Sequence, residues 1–475
     1  MSSGKYEMVV GLEVHVQLKT LTKAFCNCPT TFGAPPNVNT CPVCLALPGT
    51  LPVLNAAAVD LAVRAALALR ATVHQSSVFA RKNYFYPDLP KGYQISQYDR
   101  PLATGGSLQI GDRTVNITRV HMEEDAGKSI HDRYAGATAI DLNRAGVPLI
   151  EIVSEPDMRS APEARRYLQA LKQVLEYVAV SDVDMEKGSL RVDANVSARL
   201  HGATTLGTKT EVKNMNSFSG VERALESEFA RQCAVLDAGG RVEQQTMLWD
   251  GAKNEVRPAR SKEGSHDYRY FPEPDLPPLI LTDAYIATAL GAMPELPAAR
   301  RTRLRDAFAL GDQEIDELVA DRHIGDYFEN VTRALGDPKA AANWIRGEVL
   351  AALNASGQGI ADFPVPPGQV ADLLRLIQTG AISNSAAKTV FAEMVKTGAP
   401  ALAVVDKLGL RQVGDDGALQ QWIAEARAAH PTEFDRYAAG EKKLKGVLIK
   451  YVMELSNRRA DPKRLNQLLD ETTAG

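Results

Sequence analysis

The sequence predicts an α+β fold in which a first domain on antiparallel sheet precedes a helical part. Up to about residue 293, long stretches alternate apolar and polar side chains, the pattern of half-buried strands. From about Pro294 apolar residues recur at helical spacing and the strand signal fades. Irregular polar loops separate the strands, which favours antiparallel pairing over a regular βαβ series.

The first predicted strand runs from Met8 to Leu18, with apolar side chains at its even-numbered positions. Glu13 and His15 lie on its polar face. Side chains two apart on a strand are anchored about 6.5–7 Å apart, so both can reach one ion. The same alternation predicts strands over residues 189–199 and around Glu211.

Two helices are predicted within this first domain. Residues 55–71 are rich in alanine and leucine, and residues 160–180 carry an apolar stripe at helical spacing. Ser160 and Glu163 have the spacing of a capping box, which marks the start of the second helix.

Length and composition limit the class of protein. A chain of 475 residues predicts about two to four domains, and we place them at residues 1–293, 294–405 and 406–475. The net charge of −4 shows that the protein as a whole is not basic, so any nucleic acid must bind a local basic patch. The sequence has neither a run of eighteen apolar residues nor a basic-then-apolar leader. This predicts a cytoplasmic protein without a membrane partner, or an organelle product whose transit segment is absent.

Four of the five cysteines form two close pairs, Cys26 with Cys28 and Cys41 with Cys44. Two such pairs separated by a short loop suit tetrahedral thiolate coordination and predict a structural Zn²⁺ knuckle over residues 26–44. Reduced structural thiols and an iron–sulfur cluster are the alternatives. All four ligands would be protein sulfur, which leaves no open position for catalysis.

The segment from His121 to Ser129 places a histidine and three consecutive carboxylates before Gly-Lys-Ser. Bunched carboxylates repel one another unless a cation lies among them, and Lys128 is a candidate phosphate contact. A solvated acidic turn is the alternative. The glycine spacing of a P-loop is missing because Met122 occupies the first glycine position, and the residues after Ser129 do not predict a helix.

Glu151 lies inside an almost wholly apolar strand pattern at residues 146–153. A buried carboxylate without a partner costs several kcal/mol, so Glu151 needs a cation or a proton. One imidazole with several carboxylates suits Mg²⁺ or Mn²⁺. The predicted ligands are His15, Glu124 and Glu151, followed by Glu13 and Asp125.

A second polar surface of mixed charge follows the neighbouring strand patterns. Such a face suits a phosphate tail and a second ion, or else a ladder of cross-strand ion pairs. Its members are Arg191, Asp193, Asn195, Lys209, Glu211 and Lys213.

Two further regions combine features typical of nucleic-acid contacts. The loop over residues 81–94 interleaves basic and aromatic side chains, including Lys82, Tyr84 and Tyr86, which suits either stacking on an unpaired nucleotide or internal anchoring of the loop. The tail carries a local basic surface that suits a phosphate backbone or is simply a solvated helix face. Its residues include Lys442, Lys443, Lys445, Arg458 and Arg459.

Several long motifs, in the same order, resemble GatB, the B subunit of the tRNA-dependent amidotransferase. The resemblance runs from near Tyr6 to the tail. The motifs lie at Gly11–His15, Arg81–Asp88, His121–Lys128, Pro148–Asp157 and Asp267–Asp275.

This resemblance implies a cradle similar to the glutamine synthetase/guanido kinase fold, followed by a helical domain and a small tail that binds tRNA. It implies that ATP phosphorylates the side-chain carboxylate of misacylated Glu-tRNA(Gln) or Asp-tRNA(Asn), and that ammonia then displaces phosphate. The implied partners are a glutaminase, the A subunit of the enzyme, together with its small C subunit in a heterotrimer.

Carried onto this sequence, the resemblance supports His15, Glu124, Glu151 and Lys128 as catalytic residues. The mixed polar surface becomes the ATP side, and Lys82, Tyr84 and Tyr86 line the pocket for the tRNA acceptor end. The basic tail residues contact the tRNA body. Two other classes compete with this interpretation, a non-catalytic tRNA-binding scaffold and a stand-alone ATP-dependent ligase, which would not need the basic tail.

Overall fold

The computed structural model describes residues 4–259, 267–412, 415–456 and 459–471. The chain divides into two compact units, Met1–Pro297 and Ala298–Gly475. The first is built around sheet and the second from helices, so the predicted α+β class is confirmed. The further boundary near residue 405 remains a prediction. In the part that the structure describes, no helix is long and apolar enough to cross a membrane.

The first unit contains seventeen strands among its described residues. They are β1 (Tyr6–Gln17), β2 (Thr72–Val73), β3 (Ser76–Ser77), β4 (Phe79–Asn83), β5 (Tyr93–Gln97), β6 (Ala103–Thr104), β7 (Ser107–Ile110), β8 (Arg113–Glu124), β9 (Lys128–Tyr134), β10 (Ala137–Asp141), β11 (Pro148–Ser154), β12 (Leu190–Leu200), β13 (Thr210–Lys213), β14 (Thr246–Asp250), β15 (Glu255–Pro258), β16 (Phe271–Pro272) and β17 (Leu279–Ile280).

The distribution of helices follows the predicted change from a sheet-containing first part to a helical second part. Those of the first unit are α1 (Ala56–Ala68), α2 (Ala161–Tyr177), α3 (Phe218–Asp237) and α4 (Asp283–Gly291). From the boundary onward come α5 (Pro297–Phe308), α6 (Asp312–Val319), α7 (Arg322–Leu335), α8 (Pro338–Trp344), α9 (Leu350–Ser356), α10 (Pro367–Gln378), α11 (Asn384–Thr397), α12 (Ala401–Leu408), α13 (Asp416–Ala429), α14 (Pro431–Ala438), α15 (Lys445–Leu455) and α16 (Pro462–Glu471). A π-helical turn (Ile345–Val349) joins α8 to α9, and 3₁₀ turns lie at Ile360–Asp362 and Lys442–Leu444.

One large sheet organises the first unit, in the order β15-β14-β13-β12-β1-β11-β8-β6-β2, with β7 paired to β8. Its pairs are antiparallel except β13 with β14, which run parallel. The sheet is thus predominantly antiparallel, as predicted, with one parallel pair among its described strands. The physical reason is that α3 lies between the two strands and carries the chain back across the sheet, as a parallel pair requires.

The two faces of this sheet differ in chemistry. Even-numbered residues of β1, such as Val14, are buried in one apolar core with Leu168 of α2 and Leu225 of α3. Odd-numbered residues of β1 lie on the other, polar face. Both predicted helices are present, and side-chain caps at Asn55 and Ser160 satisfy the first free N–H groups of α1 and α2.

Candidate active site and thiol cluster

The centre of the polar face brings together one histidine and two carboxylates from three neighbouring strands. His15 of β1 lies opposite Glu151 of β11 in the strand register. The His15 Nε2 atom is 3.3 Å from a carboxylate oxygen of Glu151 and 3.3 Å from one of Glu123 in β8. One donor atom from each residue lies within 4.8 Å of the others, so the three suit a shared metal ion.

A second histidine, His121, is buried against the same carboxylates. Its Nε2 atom is 3.6 Å from Glu151 and 3.9 Å from Glu123. Burial lowers the pKa of His121, which favours the neutral imidazole. A neutral ring can accept a hydrogen bond or bind a cation at this edge of the cluster.

Without a metal, His15 provides positive charge at this site together with Arg119, whose Nη2 atom lies 3.7 Å from a carboxylate oxygen of Glu151. Burial alone would lower the pKa of His15, but the hydrogen bonds to Glu123 and Glu151 outweigh burial and raise it to about 10. Burial likewise opposes ionisation of the two carboxylates, yet His15 holds the pKa of each below its usual range. The cluster is therefore a buried charged site that a divalent cation can enter by displacing one proton.

The predicted ligand Glu124 does not join this cluster, and Glu123 takes its place. Successive side chains of a strand point to opposite faces, so Glu124 lies on the side away from His15. There it forms an ion pair with Lys91, and its Oε1 atom accepts a hydrogen bond from the Ile95 amide at 2.9 Å. The ligand set predicted from the sequence is corrected accordingly.

Asp125 is held by arginines near the polar face. Its carboxylate accepts hydrogen bonds from Arg191 at 2.9 Å and Gln17 at 2.8 Å. Asp125 and Arg191 are therefore paired with each other.

Lys128 is exposed and begins β9, which pairs with β10 in a separate two-stranded sheet. A strand follows Gly127 at the place where a P-loop would lead into a helix, which supports the rejection of a P-loop.

The mixed polar surface continues from the cluster along β1, β12 and β13. The Nδ2 atom of Asn195 donates to Glu13 at 3.0 Å, and Lys213 bridges Asp193 at 2.6 Å and Glu211 at 3.0 Å. Burial, together with the nearby charges of Glu151 and Glu211, raises the pKa of Glu13. Five of the six predicted residues thus line one face with Glu13, whereas Lys209 is exposed at its edge.

Aromatic side chains form a wall beside the carboxylates. The Lys82 ammonium lies 5.0 Å from the ring of Tyr268 and 5.9 Å from that of Tyr84. Tyr270 stacks on Tyr98 with centroids 4.2 Å apart, and Tyr86 is 60% exposed. Burial and the nearby carboxylates raise the pKa of both Tyr84 and Tyr270.

The four predicted cysteine ligands converge. One sulfur from each lies within 4.8 Å of the others, with Cys28 to Cys44 at 4.0 Å and Cys41 to Cys44 at 3.9 Å. The arrangement fits a tetrahedral thiolate site, because Zn–S bonds of about 2.3 Å give sulfur separations close to these. The fully buried ammonium of Lys23 lies 3.5 Å from the Cys44 sulfur and offsets thiolate charge.

Comparison with known proteins identifies the family. A model of the GatB/GatE catalytic domain matches residues 8–287, and a model of the GatB domain matches residues 326–472. The chain belongs to the GatB family of tRNA-dependent amidotransferases.

GatB relatives match along almost the whole chain. The B subunit of the aspartyl/glutamyl-tRNA(Asn/Gln) amidotransferase of Moorella thermoacetica is 50% identical over 98% of this chain and 99% of its own length. The proteins of the same name from Geobacter sulfurreducens and Trichlorobacter lovleyi are 49% and 48% identical. Each comparison covers 99% of this chain and 100% of the relative.

The predicted tail residues of this GatB family member are dispersed around a small helical core. Lys442 and Lys443 are exposed on a 3₁₀ turn, whereas Lys445 pairs with Asp470 at 2.8 Å. Arg459 lies 5.8 Å from the ring of Trp422. Arg458 lies outside the described residues.

Four residues of the site were not assigned from the sequence, namely His121, Glu123, Tyr268 and Tyr270. Glu123 and His121 share a face of β8, and this two-residue spacing was the signal that identifies Glu123 in place of Glu124. Tyr270 lies in a motif that carried the GatB resemblance, but its place beside the carboxylates depends on the pairing of β16 with β4. No local pattern in the sequence predicts that pairing.

Proposed function

We propose that this chain activates the side-chain carboxylate of misacylated tRNA with ATP. The single observation that carries the proposal is the convergence of His15, Glu123 and Glu151 on one buried point. The relatives' name specifies Asp- and Glu-tRNA amidation, and such a cluster suits phosphoryl transfer.

The proposed reaction has two steps. A carboxylate oxygen of the aminoacyl group attacks the γ-phosphorus of ATP, the bond to the bridging β–γ oxygen breaks, and ADP leaves. Ammonia then attacks the acyl carbon, the bond to the phosphate oxygen breaks, and phosphate leaves as the amide loses a proton. The first step is needed because an unphosphorylated carboxylate has no good leaving group.

The residues of this chain have distinct proposed roles. His15, Glu123 and Glu151 hold Mg²⁺, which when bound neutralises charge on the transferring phosphoryl group. Glu13, Asp193 and Lys213 lie along the path of the phosphate tail. The family resemblance gave Lys128 a catalytic role, but its exposed position on β9 does not support direct contact with this cluster.

The aromatic wall is proposed to bind the acceptor end of the tRNA. Tyr84, Tyr268 and Tyr270 offer ring faces to an unpaired base, and the Lys82 ammonium lies near the rings of Tyr84 and Tyr268. In the tail, Lys442 and Lys443 are proposed to contact the phosphate backbone of the tRNA body, because both are exposed.

Zinc and partner proteins complete the proposal. The four cysteines are proposed to hold a structural Zn²⁺ that fixes the loop over residues 26–44. The sequence carries no Ser-Ser-Lys amidase pattern in a Gly/Ser-rich setting, so ammonia is proposed to come from a glutaminase as the A subunit of a heterotrimer, with a small C subunit in the same complex. We place this complex in the cytoplasm.

The test is amidation by the reconstituted complex, with Asp-tRNA(Asn) and Glu-tRNA(Gln) supplied separately. Product should form from at least one of them, and only with both ATP and a divalent cation. Glu123→Gln should abolish amidation while tRNA binding persists. Amidation by that variant at the wild-type rate would contradict the proposed site, and amidation without ATP would contradict carboxylate phosphorylation.

A further inference from the structure

Arg269 stands in the chain between two tyrosines of the aromatic wall and has an unusual backbone conformation. Its φ angle is +44°, in the left-handed region that a bulky L-residue rarely adopts. The ring centroids of its neighbours Tyr268 and Tyr270 are 6.1 Å apart, with the ring planes at 74°. The bend at Arg269 allows these two rings to meet edge to face.

Hydrogen bonds hold this bend in place. The Arg269 amide donates to the Oδ1 atom of Asp267 at 3.0 Å. The Nδ2 atom of Asn83, in β4, donates to the carbonyl oxygens of Tyr268 at 3.2 Å and Arg269 at 2.8 Å. The Asn83 amide also donates to the Tyr268 carbonyl at 2.9 Å. These contacts stabilise a backbone conformation that is otherwise sparsely populated.

An ion pair fixes the other end of the same segment. Arg81 of β4 donates from Nε and Nη2 to the two carboxylate oxygens of Glu273, each at 2.8 Å. The Glu273 side chain is fully buried, and the Cζ atom of Arg81 lies 4.3 Å from the ring centroid of Tyr93. Residues 268–273 are thus bound to β4 at both ends, so β4 sets the position of Arg269 beside the aromatic wall.

The side chain of Arg269 takes no part in these contacts. It is exposed, and it forms no hydrogen bond or ion pair with any residue that the structure describes. A second exposed arginine, Arg70, has a φ angle of +58° directly after the last residues of α1, where a left-handed residue commonly ends a helix. Arg269 lies in an irregular segment, so helix termination does not explain its conformation.

We propose that Arg269 binds a backbone phosphate in the unpaired 3′ end of the tRNA, while rings of the aromatic wall stack on a neighbouring base. The proposal rests on the proposed function, which places the acceptor end at this wall. Asparagine or glycine would fit this backbone better, so the strained conformation points to a use for the arginine side chain.

The chemistry of a nucleotide suits this arrangement. A guanidinium presents several N–H donors in one plane and can bind two phosphate oxygens at once. Each nucleotide carries a phosphate close to its base. Because Arg269 adjoins both Tyr268 and Tyr270, a base on these rings leaves its phosphate within reach of the guanidinium.

Substitution of Arg269 tests the proposal in the reconstituted complex. Arg269→Asn should raise the KM for aminoacyl-tRNA about tenfold, the loss expected for one charge-assisted hydrogen bond, while the KM for ATP stays within about twofold. The slope of log affinity against log salt should fall by about 0.7, as expected for one contact to a single strand. Arg269→Lys should keep this slope and most of the affinity, because it keeps the charge.

Arg70→Asn is the matched control, since it makes the same change at another exposed arginine with a positive φ. Neither asparagine variant should lower the midpoint of thermal unfolding, because asparagine tolerates this backbone conformation. Arg70→Asn should leave the KM for aminoacyl-tRNA and the salt slope unchanged. An equal loss of tRNA affinity in both variants would overturn the specific contact at Arg269.

A shortened tRNA separates the acceptor end from the tRNA body. The wild type and Arg269→Asn should bind with equal affinity to a tRNA that lacks its unpaired 3′ nucleotides. A deficit of the variant that persists with this shortened tRNA would overturn the proposal, and so would wild-type affinity of the variant for intact tRNA. A wild-type complex that amidates without ATP would instead overturn the proposed function, whereas these binding measurements judge Arg269 independently.

Chemical protection tests the same contact without a substitution. Phenylglyoxal modifies exposed arginines, so Arg269 should react in the unaltered complex. Intact tRNA should protect it, and the shortened tRNA should not. Modification of Arg269 that intact tRNA leaves unchanged would overturn the proposal even if Arg269→Asn failed to fold.

Discussion

The carboxylate of Glu123 lies 3.3 Å from the Nε2 atom of His15, whereas that of Glu124 forms an ion pair with Lys91. Strand alternation sends these two adjacent side chains to opposite faces of β8. One of them is therefore placed to bind a metal with His15, and the other lines a cavity together with Cys26 and Cys44 of the thiol cluster. This difference can be tested directly.

Glu123→Gln should weaken Mn²⁺ binding to the full chain at least tenfold, because one charged ligand of the cluster is lost. Glu124→Gln should leave Mn²⁺ affinity within about twofold of the wild type. Electron paramagnetic resonance of free Mn²⁺ measures both constants. The reverse order of effects would return Glu124 to the ligand set and remove Glu123.

Metal binding should release a proton from His15. Its pKa of about 10 in the metal-free cluster means that the imidazole is charged at pH 8, whereas a metal needs the neutral ring. Affinity for Mn²⁺ should therefore rise about tenfold per pH unit between pH 7 and pH 9. Calorimetry in buffers of different ionisation enthalpy should show about one proton released per ion, and no release would exclude His15 as a ligand.

Cys28→Ser should remove bound zinc and lower the temperature of thermal unfolding, because the loop over residues 26–44 loses its cross-link. Cys233→Ser is the control, since this cysteine is buried apart from the cluster in α3 and should leave the zinc content unchanged. Metal analysis of each purified variant provides the measurement. A wild-type chain without zinc, and with four freely reactive thiols, would contradict the knuckle.

Replacing both Lys442 and Lys443 by alanine should weaken tRNA binding and reduce the slope of log affinity against log salt by about 1–2, because each phosphate contact releases counterions. Lys388→Ala, which removes a lysine paired with Glu348 in the helical unit, is the matched control. Filter binding at several salt concentrations measures the slope. An unchanged slope in the double variant would exclude these lysines from the interface.

The sequence predicted those features of the fold and the site that depend on short-range patterns in the chain. Alternation identified β1 and β12 and placed Glu13 and His15 on the polar face, and cysteine spacing identified the thiol cluster. Pairing between distant strands was not predictable in this way. The register that sets Glu151 opposite both His15 and His121 depends on tertiary contacts, and so does the position of β16 beside β4. The spacing of His121 and Glu123 was a local signal for Glu123, but no such signal placed Tyr270 at the site.

The proposed function depends on transfer of a phosphoryl group from ATP to the side-chain carboxylate of an aminoacyl-tRNA. The most direct measurement follows ¹⁸O from that carboxylate in the reconstituted complex supplied with ATP and ammonia. We expect one labelled oxygen in each phosphate released, and loss of this label transfer in Glu123→Gln. Amide formation with unlabelled phosphate would contradict phosphorylation of the carboxylate.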